Sequence, residues 1–172
     1  PGWETTTSLS APWNKLVHLR NSKDGTEVDE IYIQPKICYK GAVMRLNMVV
    51  PDPSTLPSGT DVWFGFEINS WITGGAVALH FYGGGVELLF IYFSEDGELT
   101  TLYTNPTINN PGELRDYAIV FDGSTFRFMQ EPAGGGALTV TDEITATKPF
   151  PKEYTLTPFM ANESSVVVEG FK

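Results

Sequence analysis

Glycine and proline break this chain so often that helical periodicity never becomes established. The 172 residues include 17 Gly and 12 Pro. The runs between them are short and rich in Val, Ile, Thr, Phe and Tyr. Proline has no amide donor and glycine loses the most freedom on ordering, so both end regular elements. β-Branched and aromatic side chains fit a pleated, half-buried surface. Strands are expected near 14–20, 28–34, 41–50, 61–69, 76–82, 86–94, 98–104, 114–121, 125–130, 137–141, 154–160 and 164–171. A dozen short strands predict an all-β fold, an antiparallel β-sandwich or barrel, in one domain over residues 1–172.

The breaks between strands have local chemistry. "PDPSTLPSG" (51–59) cannot be a central strand, because its prolines cannot donate to a ladder. "FSEDGEL" (93–99) and "FDGST" (121–125) read as hairpin turns, with Asp-Gly supplying positive φ. The glycine groups at 73–75, 83–85 and 134–136 fit hairpin tips. None has the Walker spacing or precedes a helix. "VELLFIYF" (86–93) is apolar on both parities, as expected of a central strand covered on both faces. "AVMRLNMVV" (42–50) alternates and is also read as central. "KLVHL" (15–19) and "SVVVEGF" (165–171) are expected to pair as adjacent end strands at a sandwich edge.

Charge narrows the partners. The net charge is −10, which disfavours nucleic acid, anionic membranes and acidic polymers. No apolar run reaches the roughly 20 residues of a membrane helix. A neutral ligand fits best. The start, without an initiator Met or a leader pattern, reads as that of a domain excised from a longer protein. The single cysteine, Cys38, excludes an internal disulfide and a Cys-rich zinc site.

The densest stretch is "DVWFGFEINSW" (61–71). Val62, Phe64, Phe66 and Ile68 share one parity and Trp63, Glu67, Asn69 and Trp71 the other, so a strand separates them onto two faces. The first face is core. The second is either a small second core or a sugar platform, on which indoles stack against pyranose C–H groups while Glu67 and Asn69 meet hydroxyls. Tyr32, Gln34, Arg45, Asn47, His80 and Tyr82 have the polar parity of their own strands and are expected to share that face.

"LRDYAIVFDGSTFRFMQ" (114–130) resembles the late hairpin of concanavalin A-like sandwiches of the laminin-G and glucanase type. "SVVVEGFK" is similar to the last strand of such jelly rolls, many carbohydrate-binding modules among them. The resemblance implies a jelly-roll sandwich. Similarity of "GFEINSW" to a nucleophile strand of some glucanases would make Glu67 a nucleophile and Glu87 its acid partner, although the spaced acidic signature of laminarinase-type enzymes is missing. No Ser-His-Asp elbow accompanies His18 or His80.

No cofactor is expected. A structural calcium is left open at the acidic turn of Glu95, Asp96 and Glu98, which lacks EF-hand spacing. "NES" (162–164) is a glycosylation triplet. These observations predict an extracellular module, a monomer within a larger protein, that binds neutral polysaccharide such as a plant β-glucan without transforming it. The alternatives are a receptor-binding or structural appendage module of a virus or phage and, third, an endoglycanase using Glu67.

Overall fold

The computed structural model describes residues 41–69, 74–150 and 154–172, and the backbone of residues 4–5, 19–20 and 31–32. His18, Gln34, Cys38 and Trp71, with most of the strands expected at 14–20 and 28–34, lie outside the described residues. The described strands are β1 (Glu4–Thr5), β2 (Leu19–Arg20), β3 (Ile31–Tyr32), β4 (Ala42–Val49), β5 (Asp61–Asn69), β6 (Gly74–Tyr82), β7 (Gly85–Phe93), β8 (Leu99–Thr104), β9 (Leu114–Phe121), β10 (Thr125–Gln130), β11 (Thr139–Thr145) and β12 (Thr155–Asn162). One turn of 3₁₀ helix, Pro53–Thr55, occupies the proline-rich loop.

The fold is an antiparallel β-sandwich. A six-stranded sheet runs β3-β12-β5-β6-β7-β8 and a four-stranded sheet runs β11-β10-β9-β4. A separate pair joins β1 to β2. The alternation in β5 has its expected consequence: Val62, Phe64, Phe66 and Ile68 are at most 2% exposed. In β7, Leu88, Phe90 and Tyr92 are fully buried. Phe90 meets Phe121 and Phe126 of the other sheet at ring distances of 6.0 and 6.1 Å. Each such ring contributes about 1.5–3 kcal/mol by leaving water. Tyr92 also keeps its hydroxyl satisfied, accepting from the backbone N–H groups of Thr147 and Lys148 at 3.1 Å each. Those two bonds tie the β11–β12 connection to the core.

Three expectations are corrected. Residues 165–171 form no strand, and β12 is the last. β12 lies between β3 and β5. The chain end instead meets β4, with Val49 N–H donating to the Lys172 carbonyl at 2.8 Å. Phe171 enters the core, 5.0 Å from the Phe81 ring. Leu19 pairs with Thr5 rather than with the C-terminal segment. Finally, β4 is an edge strand of the four-stranded sheet, not a central one. Alternation sets which side chains go inward, and β4 keeps that pattern at either position in a sheet.

Close packing between β5 and β6 depends on Gly65. A Cβ there would lie 2.0 Å from the Val77 carbonyl oxygen. This brings the smallest residue of β5 to the middle of the sheet, opposite Ala78.

Candidate binding face

The outer face of the six-stranded sheet is organised around one cross-strand row. Trp63 on β5 pairs with His80 on β6, and His80 pairs with Glu87 on β7. Cross-strand neighbours have Cβ atoms about 4.5–5.5 Å apart, close enough for the side chains to touch. The Trp63 and His80 rings stack with centroids 3.7 Å apart and planes 9° from parallel. His80 faces Asp61 Oδ1 through Nε2 at 3.0 Å and Glu87 Oε1 through Nδ1 at 2.8 Å. Trp63 Nε1–H donates to the same Asp61 oxygen.

This geometry has a chemical consequence. Both ring nitrogens of His80 are engaged by carboxylates, so the ring is held in one orientation over the indole. The row is thus an ordered ridge of alternating aromatic and charged groups. Tyr82 continues it. Its ring lies 5.6 Å from that of His80 at 44°, and it is 36% exposed.

Of the residues singled out in the sequence, Trp63, Glu67, His80 and Tyr82 share this face by strand parity and register. Tyr32 and Asn69 belong to the same sheet through their backbones, paired with Phe159 and Gly74. Gln34 and Trp71 are outside the described residues. Arg45 and Asn47 do not share the face. Both lie on β4 in the opposite sheet and are exposed there, where Asn47 Nδ2 donates to Asp116 Oδ1 at 2.6 Å. Parity within a strand says nothing about which sheet the strand joins.

The sequence pattern alone gives Asp61 no role and Glu87 only that of an acid. A signal for both was available. Asp61 has the parity of Trp63, two residues away. A two-residue turn at Gly83-Gly84 pairs Tyr82 with Gly85 and so brings His80 to Glu87.

Glu67 and Glu87 are not cross-strand neighbours. Register places Glu67 and Glu87 two strands and four residues apart, a Cα separation of about 17 Å for ordinary sheet spacing. Asp61 and Glu87 are closer, but the imidazole of His80 fills the space between them.

The acidic turn carries an internal cation. Lys148 Nζ pairs with Asp96 at 3.4 Å and with Glu98. Among the described residues no group of three His, Cys, Asp or Glu side chains is arranged to hold a metal. The Asn162 side chain of the glycosylation triplet is buried, 4% exposed, and its Oδ1 accepts from Ser164 N–H at 3.2 Å. No helix among the described residues is long and apolar enough to cross a membrane.

No protein-family model matches the chain, and no curated protein matches it. Solved structures do. The enzymatically active domain of tailspike protein 2 of bacteriophage CBA120 is similar at a TM-score of 0.53 and 15% identity, over 99% of this chain and 27% of that one. Full-length tailspike protein 2 from an Escherichia coli O157:H7 bacteriophage is similar at 0.54 and 12% identity, over 99% of this chain and 23% of that one. At these identities the likeness is one of fold, and this chain spans about a quarter of the length of either tailspike.

Proposed function

We propose that this chain is a β-sandwich module of a longer, tailspike-like virion appendage, and that it binds a neutral glycan of the host cell surface without cleaving it. The observation that carries the reading is coverage. Nearly the whole chain matches tailspike structures, and it fills only a quarter of them. That relation fits a module better than a free-standing enzyme, and an appendage better than a plant-polysaccharide-binding protein. The antiparallel sandwich fits the same reading, and we propose for it the jelly-roll path implied by the concanavalin A-like resemblance of residues 114–130. So does the net charge of −10, which repels anionic polymers and leaves a neutral ligand favoured. The module would act outside the cell, on the virion.

The test is binding of the fluorescently tagged chain to bacterial cells before and after removal of surface polysaccharide, alongside plant β-glucans. Loss of binding with the polysaccharide, little change with salt and no released reducing ends are expected. Binding to plant β-glucan alone would overturn the appendage reading. Steep salt dependence would overturn the neutral-ligand reading.

A further inference from the structure

An open pocket of about 370 Å³ lies at one end of the six-stranded sheet, beside Tyr82. Three segments form its walls: the loop with Asp52 and Ser54, the β6–β7 turn at Gly84 and Gly85, and the loop with Asn105, Thr107 and Pro111. We infer that this pocket is a saccharide subsite, in which a neutral sugar ring stacks on Tyr82 and hydrogen-bonds to Asp52, Asn105 and Thr107. The inference rests on the glycan reading above and gives it a location.

The aromatic floor is built for stacking. Tyr82 pairs across the hairpin with Gly85, and a Cβ on Gly85 would fall 2.6 Å from Tyr82 ring atoms. The hydroxyl end of the ring therefore rests against the bare backbone of the hairpin. Any side chain at Gly85 would lift it. Its position is supported on one side by the backbone and on another by His80, which is itself fixed by two carboxylates.

The walls are held from behind. Gln130 is fully buried. Its Oε1 accepts from Asn109 N–H at 2.9 Å and its Nε2 donates to the Thr107 carbonyl at 2.9 Å. Asn109 and Asn110 side chains donate to the carbonyls of Glu131 and Pro132 at 3.0 and 3.2 Å. Gly112 N–H donates to the Val50 carbonyl at 2.8 Å, and Gly84 N–H to that of Leu56 at 3.1 Å. None of these bonds uses the Asn105 amide or the Thr107 hydroxyl, and both residues are exposed. Asp52 Oδ1 accepts from Ser54 N–H and Oγ–H, which aims the carboxylate while its second oxygen takes no part in these bonds. A preformed site with few polar groups on fixed supports is what small-ligand binding requires.

The lining chemistry selects the ligand. No Lys or Arg lines the pocket, so phosphate and sulfated or sialylated sugars have no countercharge and would meet Asp52. The volume is near the low end of ligand pockets, about 300–1,000 Å³, with room for about one or two sugar rings.

The test uses the full chain with amide NMR and calorimetry against short neutral gluco-, manno- and galacto-oligosaccharides. The expected result is shifted amide signals at Gly84, Gly85 and Asn105. Tyr82→Ala should bind about tenfold more weakly or worse, and Asn105→Ala more weakly too. Both residues are exposed, so melting temperature should change little, and that separates lost binding from lost fold. Tyr82→Phe should keep most of the affinity, because the ring supplies the stacking. If an oligosaccharide binds but shifts other amides, and Tyr82→Ala retains affinity, the pocket is wrong and the glycan reading stands. If no oligosaccharide binds the wild-type chain and cells bind regardless of their polysaccharide, both fail.

Discussion

Trp63 and His80 lie face to face across β5 and β6, 3.7 Å between centroids, and Asp61 bonds to both rings. One side of the indole is thereby taken by a protein group, and its N–H is already satisfied. Trp63 is half-buried structure in a ridge more than an open platform for sugar. Among the described residues, the exposed aromatics of this sheet include Tyr82, next to the ridge, and Tyr103 on β8.

Removing His80 should therefore cost stability before it costs anything else. His80→Ala loses the stack and leaves Asp61 and Glu87 facing each other across a gap. A loss of about 2–3 kcal/mol is expected for charge-assisted hydrogen bonds of a mostly buried ring. For a chain of this size that lowers the melting temperature by about 4–12 °C. Circular dichroism melts check it, and Trp fluorescence should change as the stacked imidazole is removed. An unchanged melt would show that the ridge contributes nothing.

Gly65→Ala should be more damaging than its size suggests. The added methyl would sit 2.0 Å from the Val77 carbonyl oxygen, and backbone in a paired sheet cannot rotate away as a side chain can. A loss of about 3 kcal/mol or more is expected, at the upper end of overpacking costs. Denaturant titration measures it. A wild-type midpoint would mean that β5 and β6 can separate without penalty.

Gln130→Leu keeps the volume and removes the bonds that hold the 105–113 loop. Asn109 N–H and the Thr107 carbonyl then lose their partner, at a cost of about 2–6 kcal/mol for two such groups. Hydrogen exchange at Asn109 should speed up while exchange in β9 and β10 is little affected. Equal protection in the variant would show that the loop is held by other means.

Acid should loosen the β9–β10 turn. Burial alone would raise the Asp122 carboxyl, but the Arg127 guanidinium and the N–H groups of Thr125 and Ser124 outweigh it and hold the group below the ordinary carboxylate range. A carboxylate with a depressed folded-state value adds stability that is present above its unfolded value of about 3.9 and lost as pH falls through the folded one. Asp122→Asn should therefore flatten the stability profile below about pH 4 and lower the plateau above it. Chemical denaturation across that range is the measurement. Parallel profiles for the two proteins would rule the linkage out.

The Phe residues of β5, the Asp-Gly turn of β9–β10 and the two-residue glycine turn of β6–β7 were legible in the sequence, because each is decided within a few residues. Side-chain direction repeats every two residues, and positive φ is tolerated by few residue types. The all-β class and the opposition of Trp63 and Glu67 to the core side follow from such local rules. Only the tertiary structure decided that β4, with Arg45 and Asn47, joins the far sheet, and that β12 inserts beside β5 while the chain end runs along Val49. The tertiary structure also gave His80 its two carboxylates and brought Asn105 to the side of Tyr82. These are pairings between segments tens of residues apart. They are selected by the packing of a whole core against the entropy of closing long loops, and no local pattern in any one strand encodes its partner.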